Sequence, residues 1–195
     1  MRRAFQIPPR RGLPPRAGHG QETALPRSLL CAALLGTALG LVAPIPSALA
    51  GPERATLIRV VDGDTLRVQS RGQLVSVRLA CIDAPETSQS PQGEQARLAL
   101  QQLLPAGSAV ELRVSATDRY GRSIAEVSRS GEIINQTLVA GGQAFVAWMY
   151  IRGCDRQTYG RLETLARLKG LGVWAVPGGI LRPWDHRRAA RSGSR

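Results

Sequence analysis

The sequence predicts a small α+β or β-barrel domain, and two observations carry this prediction. Five segments alternate apolar and polar residues with a period of two, which is typical of half-buried strands. Three other segments place apolar residues three and four positions apart, which is typical of amphipathic helices. The chain has 195 residues, of which 43% are hydrophobic. That is enough for one compact core with its ends, and we expect no second core.

The strands account for most of the first part of the domain. Residues 56–61 form the first, and residues 65–68 and 73–82 form a hairpin that turns at residues 70–72. Two further strands span residues 110–116 and 122–128, joined by a tight turn. Residues 145–151 form an extended apolar run, so Trp148 and Tyr150 would share one face.

Three helices are expected between and after these strands. They span residues 93–104, about ten residues beginning at Ile133, and residues 156–169. Pro105, Gly141 and Gly170 mark their ends, because proline and glycine end helices. The tail from residue 177 onward is basic and is expected to fray, with Trp184 holding its beginning to the body.

Four carboxylates lie close together in the sequence, at Asp62, Asp64, Asp83 and Glu86. The antiparallel hairpin at residues 65–82 would bring the first two beside the last two. Such a concentration of like charge opposes folding unless a cation lies within it. Since the donors are all oxygens, with no histidine or cysteine among them, the pattern favours Ca²⁺ or Mg²⁺ and argues against zinc.

Each motif also has a plainer interpretation. Aspartate, glycine and proline favour turns, so the acidic motifs can be a turn and a loop. Residues 118–122 can be a solvated hairpin tip that holds two arginines. Trp148 and Tyr150 can stack on a nucleobase or simply pack in the core.

Four motifs together resemble the thermonuclease family, the staphylococcal-nuclease-like Ca²⁺-dependent phosphodiesterases. They are VDGDT at 61–65, VRLACIDAPET at 77–87, DRYGR at 118–122 and FVAWMY at 145–150. The resemblance extends from about residue 55 to about residue 175. It implies a five-stranded β-barrel of the oligonucleotide-binding (OB-fold) type with about three helices, which the strand and helix pattern fits.

The resemblance also implies roles for individual residues. Asp64 and Asp83 would ligate Ca²⁺ together with the backbone carbonyl of Ala84, and Asp62 would lie just behind them. Glu86 would be the general base, while Arg78 and Arg122 would bind and neutralise the phosphate. The surrounding nucleotide-binding positions would be Arg119, Tyr120, Trp148 and Tyr150. Ala84 and Trp148 depart from the familiar threonine and tyrosine, which should alter substrate affinity without removing a catalytic group.

The charge of the chain favours a polyanionic partner. The formal charge is +12; residues 1–50 hold six arginines and one glutamate, which leaves 20 basic and 13 acidic side chains, or +7, for residues 51–195. Together with the charge, the resemblance implies a Ca²⁺-dependent endonuclease of DNA and RNA, and an open barrel groove leads us to expect a preference for single strands. The alternatives are a non-catalytic module that binds single-stranded nucleic acid and a Ca²⁺-stabilised structural domain.

The N-terminus predicts export. Residues 1–50 combine an arginine-rich start, a short apolar run and the small residues of a cleavage site, which is typical of a signal peptide; an uncleaved anchor is the competing interpretation. Residues 51–176 would then be the nuclease-like domain and residues 177–195 its basic tail. Cleavage leaves Cys81 and Cys154, which we expect to pair in an oxidising compartment, the alternative being two free thiols. The mature protein is expected to be a secreted or periplasmic monomer without stable membrane association.

Overall fold

The structure is a computed structural model that describes residues 51–193. The predicted signal peptide at residues 1–50 lies outside the described residues. Within residues 51–193, no helix has both the length and the apolar character needed to cross a membrane.

Five long strands form a closed barrel. The five long strands are β1 (Glu53–Val60), β2 (Thr65–Ser70), β3 (Gln73–Leu79), β5 (Ala109–Thr117) and β6 (Ser123–Arg129). Three further strands have two residues each, namely β4 (Ile82–Asp83), β7 (Glu132–Ile133) and β8 (Phe145–Val146). The order in the sheet is β3-β2-β1-β5-β6-β7, and an additional pairing of β3 with β6 closes it. That closing pair is parallel, whereas the other neighbours are antiparallel. This arrangement confirms the predicted α+β fold with a five-stranded OB-type barrel.

The β2–β3 hairpin sets the position of the acidic residues. Its turn consists of Arg71 and Gly72, which both have positive φ (48° and 79°), as a two-residue turn between twisted strands requires. The register pairs Thr65 with Arg78, so the start of β2 lies beside the end of β3. The residues on either side of this hairpin are therefore neighbours at one rim of the barrel.

Within the part of the chain that the structure describes, four α-helices accompany the barrel, namely α1 (Gln92–Leu103), α2 (Ile134–Ala140), α3 (Arg156–Leu168) and α4 (Pro183–Gly193). The first three match the predicted helices to within one or two residues at most ends. Asp155 begins α3, because its side chain accepts hydrogen bonds from the backbone N–H groups of Gln157 and Thr158. The fourth helix replaces the frayed tail expected from the sequence.

The apolar run at residues 145–151 differs from its prediction. Only Phe145 and Val146 are extended, and β8 pairs with β4 so that Phe145 lies opposite Asp83. Trp148–Tyr150 instead forms a 3₁₀ turn, in which the Tyr150 N–H donates to the carbonyl of Ala147 at 2.8 Å. Trp148 and Tyr150 therefore do not share the face of a strand.

A disulfide joins Cys81 and Cys154, whose Cα atoms are 6.5 Å apart. Cys81 lies between β3 and β4, two residues before Asp83, and Cys154 lies just before α3. The bond therefore attaches the acidic rim of the barrel to the loop that leads into α3.

Candidate active site

Four carboxylates lie at the rim that the β2–β3 hairpin defines, and we call this group the acidic corner. Its members are Asp62, Asp64, Asp83 and Glu86. Asp64 is held in a tight turn, where its N–H donates to Oδ1 of Asp62 at 3.0 Å. Its carbonyl accepts from the N–H of Leu79 at 2.8 Å, which fixes it against the end of β3. The sequence motifs at 61–65 and 77–87 thus meet through backbone and side-chain hydrogen bonds.

Arg78 bridges the two aspartates of the acidic corner. Its Nη1 lies 2.6 Å from Oδ1 of Asp64, and its Nη2 lies 2.6 Å from Oδ1 of Asp83. Oδ2 of Asp64 accepts from the N–H of Ala84 at 2.9 Å. Because one planar guanidinium reaches both carboxylates, their oxygens converge on a single small volume.

Burial gives these groups unusual protonation behaviour. Asp64 and Asp83 are 4% and 3% exposed. Burial raises the pKa of Asp64 to about 7, although the neighbouring Arg78 guanidinium lowers it. Burial also lowers the pKa of Arg78, but Asp64 and Asp83 outweigh it and raise that pKa above the ordinary value. The Arg78 guanidinium therefore only partly offsets the effect of burial on the pKa of Asp64.

The backbone around the acidic corner is packed without spare room. A Cβ atom on Gly63 would lie 2.7 Å from Cβ of Ala84 and 2.8 Å from Cβ of Ala96. A Cβ atom on Gly93 would lie 2.0 Å from the carbonyl oxygen of Glu86. Both glycines are needed for this close approach, because no side chain fits at these distances. Helix α1 thus supports the acidic corner from behind.

A second guanidinium reaches the acidic corner from α4. Nη1 and Nη2 of Arg187 lie 3.1 Å and 2.6 Å from Oδ1 and Oδ2 of Asp83. Nη1 also donates to Oε1 of Glu86. The hydrogen bonds to Asp83, which outweigh the effect of burial, raise the pKa of Arg187 above its ordinary value. Three of the four carboxylates, Asp64, Asp83 and Glu86, are therefore paired with two arginines, of which the sequence identified only Arg78.

Arg187 is not among the site residues predicted from the sequence, because the tail from residue 177 onward was expected to fray. The sequence nevertheless contains a local signal for a helix there. Pro183 stands at the first helical position and Asp185 in the first turn, both of which favour a helix start. Contacts with the body hold the segment in place. Gln89 donates to the carbonyl of Leu181 at 2.8 Å, and the Trp184 ring lies edge-on to Phe145 with centroids 6.2 Å apart.

The DRYGR turn, residues 118–122, is organised around Asp118. This carboxylate accepts from Nε of Arg122 at 2.7 Å and from the N–H groups of Tyr120 and Arg122 at 2.9 and 3.0 Å. The guanidinium groups of Arg119 and Arg122 both lie near the Tyr120 ring, 4.8 and 5.5 Å from its centroid. Arg122 thus pairs with Asp118 rather than with a carboxylate of the acidic corner.

The parallel pairing of β3 and β6 nevertheless brings the turn near the rim. It places Ser123 opposite Val77 and Ile124 opposite Arg78, so Arg122 lies two residues before the partner of Arg78. A groove of about 440 Å³ lies beside the turn; its lining residues are Arg67, Leu74, Val75, Ser76, Tyr120, Gly121 and Arg122. Arg67 was not singled out from the sequence, where it is one of several outward-facing residues of β2.

The other two predicted nucleotide-binding residues lie next to α3. The Trp148 indole donates from Nε1 to Oε2 of Glu163 at 3.0 Å, and the guanidinium of Arg156 lies 5.1 Å from its centroid. Trp148 is 39% exposed and Tyr150 is 74% exposed. Both rings therefore retain surface on which a base could stack. Of the two side chains, that of Trp148 is the one held by a hydrogen bond, which it donates to Glu163.

The donor set fits the metal that the family resemblance implies. Within the described residues no group of three or more histidine, cysteine, aspartate or glutamate side chains is arranged as a metal cage. The carboxylates of Asp64 and Asp83 are instead neutralised by guanidinium groups. The two carboxylates themselves offer only oxygen ligands, which are the ligands that hard cations such as Ca²⁺ and Mg²⁺ prefer.

Comparisons with known proteins show which family this chain resembles. The family model described as "Staphylococcal nuclease homologue" matches residues 76–176. A micrococcal nuclease of Shigella flexneri is 35% identical over 150 residues, which cover 72% of this chain and 84% of that protein. Protein ParB of Escherichia coli is 36% identical over 152 residues, which cover 71% of this chain and 81% of that protein. An uncharacterized endonuclease of Haemophilus influenzae is 35% identical over 120 residues, which cover 61% of this chain and 65% of that protein.

The family match starts within β3 and ends just before the segment that leads into α4. It covers more than half of the chain, and the first two relatives are aligned over most of their own length. The chain therefore belongs to the family of staphylococcal nuclease homologues.

Proposed function

We propose that this nuclease is a secreted Ca²⁺-dependent endonuclease that hydrolyses phosphodiester bonds of DNA and RNA and prefers single strands. The observation that carries the proposal is the bridging of two buried carboxylates, Asp64 and Asp83, by Arg78 at the open rim of the barrel. A structural ion pair needs one partner for each charge. An excess of carboxylates at a rim is more typical of a site that receives a cation.

Asp64 and Asp83 would hold the ion together with the carbonyl of Ala84, while Asp62 keeps the turn closed through its bond to the N–H of Asp64. When bound, Ca²⁺ would add positive charge beside the phosphate and polarise one of its oxygens. With the aspartates held in that way, the Arg78 fork becomes free to bind two phosphate oxygens, which a planar guanidinium does well.

Glu86 is the candidate general base. Its side chain is 35% exposed, so water reaches it, and it lies next to Asp83 through their shared contact with Arg187. In hydrolysis the water oxygen bonds to phosphorus, one ester P–O bond breaks, Glu86 takes a proton from the water and the leaving oxygen takes one from solvent. Arg78 and Arg122 would offset the negative charge that builds up on the phosphate.

The groove beside the DRYGR turn supports a single-stranded substrate. It combines the cations Arg67 and Arg122 with the exposed ring of Tyr120, the combination that tracks a phosphate backbone and stacks a base. Arg119, Trp148 and Tyr150 would extend this surface. Duplex DNA keeps its bases stacked inside, so a denatured strand is the better partner for these rings.

Export is supported by the disulfide between Cys81 and Cys154, because such bonds persist in oxidising compartments. The signal-peptide character of residues 1–50 points the same way. A secreted or periplasmic monomer is the form that we propose.

Cleavage of denatured DNA and of RNA tests the proposal, with Ca²⁺ and with a chelator. We expect cleavage that chelation abolishes and added Ca²⁺ restores. Glu86→Gln keeps the shape of the side chain but removes the base, so the rate should fall about 10²-fold or more. Glu94→Gln is the matched control, because Glu94 pairs only with Arg97 on the surface of α1.

Each contrary result has a distinct meaning. Cleavage that persists in chelator would reject the metal dependence. A mobility shift of the nucleic acid without cleavage would indicate a binding module. Full turnover by Glu86→Gln would remove Glu86 from the role of base while leaving the nuclease intact.

A further inference from the structure

We infer that Arg187 is a tethered cation that competes with the divalent metal ion for Asp83, so that the C-terminal helix α4 lowers the metal affinity of the active site. The inference rests on the proposed function, because it takes Asp64 and Asp83 as the metal site. It adds a residue that lies beyond the family match, which ends at residue 176.

The contacts of Arg187 are made with groups that metal binding and catalysis need. Its guanidinium bonds to both oxygens of Asp83 and to one oxygen of Glu86. Oδ1 of Asp83 also accepts from Arg78, so two guanidinium groups share one carboxylate. An ion that ligates Asp83 must either replace hydrogen bonds of Arg187 or lie beside its positive charge. Both outcomes cost free energy that the ion must supply.

Arg187 is also better placed to move than Arg78. Its side chain is 35% exposed, whereas that of Arg78 is 21% exposed and extends from the end of strand β3. Arg187 stands on a surface helix near the end of the chain, where a change of rotamer takes the charge into solvent. Of the two cations, Arg187 is therefore the one that yields to the incoming ion.

Tethering makes this competition effective. Helix α4 is held by Trp184 against Phe145, by the contact of Ser88 Oγ with Nε2 of His186 at 2.9 Å, and by the bond from Gln89 to Leu181. A cation fixed next to its anion acts at a high effective concentration. Coupling between two ligands of one site is reciprocal. Any group that stabilises α4 on the acidic corner therefore lowers the affinity for the metal ion, and metal binding destabilises the docked position of α4.

Calorimetric titration of Ca²⁺ into the wild type and three variants of the full chain tests the inference. Arg187→Gln should bind Ca²⁺ about tenfold more tightly than the wild type, because the competing charge is gone. Arg187→Lys keeps the charge but loses the planar fork, so it should tighten binding only a few-fold. Arg188→Gln is the matched control and should bind like the wild type, since Arg188 pairs with Asp185 of its own helix and is 74% exposed.

Thermal unfolding separates competition from a merely structural role. Without Ca²⁺, Arg187→Gln should melt below the wild type, because the acidic corner has lost a counter-charge. Saturating Ca²⁺ should then raise its Tm by more than it raises that of the wild type. A purely structural arginine would lower Tm in both conditions and leave the Ca²⁺ affinity unchanged or weaker.

Equal or weaker Ca²⁺ binding by Arg187→Gln would overturn the inference while the nuclease proposal stands. Equal tightening in Arg188→Gln would overturn it too, because the effect would then come from net charge alone. Absence of Ca²⁺ binding in the wild type and in all three variants would reject the proposed metal site itself, and this inference with it.

Discussion

Two buried carboxylate centres of the barrel differ in how their charge is balanced. Glu126, which is 5% exposed, forms an ion pair with Arg113 and accepts a hydrogen bond from the Tyr159 hydroxyl at 2.7 Å. One anion there has one cation and one neutral donor. The acidic corner instead places three carboxylates against Arg78 and Arg187, and a fourth, that of Asp62, accepts from the backbone N–H of Asp64 beside them. Burial alone therefore does not mark a functional carboxylate, whereas an excess of anions at an open rim does.

The donors themselves reinforce this contrast. Burial raises the pKa of Tyr159 far above its ordinary value, so its hydroxyl stays protonated and always available to Glu126. The donors at the acidic corner are guanidinium groups on two separate elements, and one of them belongs to a surface helix. The hydrogen-bonded pair at Glu126 is therefore a fixed structural contact, whereas the acidic corner can exchange one cation for another.

Replacing Asp83 should have the largest effect. Asp83→Asn removes a proposed metal ligand and the partner of both arginines, so kcat/KM on denatured DNA should fall about 10³-fold, or about 4 kcal/mol in activation free energy. Steady-state kinetics at saturating Ca²⁺, with circular dichroism to verify folding, measure this. Activity within tenfold of the wild type would mean that the acidic corner is not the reaction centre.

Replacing Glu126 should affect stability instead of activity. Glu126→Gln leaves Arg113 without its anion, and since Arg113 is largely exposed we expect the free energy of unfolding to fall by about 2 kcal/mol. The kcat/KM should stay within about twofold of the wild type below the unfolding transition. Urea unfolding measures the loss, with the exposed Glu111→Gln on β5 as control. A large loss of activity in the folded variant would erase the distinction between the two centres.

The dependence of metal binding on pH should be a smaller effect. Because burial raises the pKa of Asp64 to about 7, protons compete with Ca²⁺ for this carboxylate below that pH. The ionised form is abundant at pH 8 and about a tenth of the total at pH 6, so the apparent Kd for Ca²⁺ should rise about tenfold from pH 8 to pH 6. Titration calorimetry at both values measures this. An unchanged Kd would show that Asp64 is ionised throughout.

The hairpin at Arg71 and Gly72 shows what local sequence can predict. Its alternating apolar residues and its turn determine the register, and this register alone brings Asp64 next to Asp83. Asp118 and Arg122 are four residues apart, so their turn is local as well. The meeting of the two acidic motifs was therefore predictable from local sequence, whereas the five-stranded OB-type barrel was implied by the family resemblance.

Arg187 shows where local sequence gives no answer. Several arginines follow residue 176, and nothing in their spacing tells which of them reaches a carboxylate about a hundred residues earlier in the chain. The docking of α4 depends on Trp184 and on loop residues such as Gln89, which are distant in sequence. The 3₁₀ turn at Trp148 was missed for a related reason, since a short apolar run fits a strand and a helical turn equally well.

The two glycines behind the acidic corner determine where this protein tolerates redesign. A single methyl group on Gly63 or Gly93 would collide with the backbone or with a small side chain that supports the carboxylates. Attempts to alter the choice of ion by reshaping that loop will therefore disturb folding before they alter selectivity. In the groove by Tyr120 only Gly121 has a positive φ (77°), so libraries that vary the other lining residues are the safer way to change substrate preference.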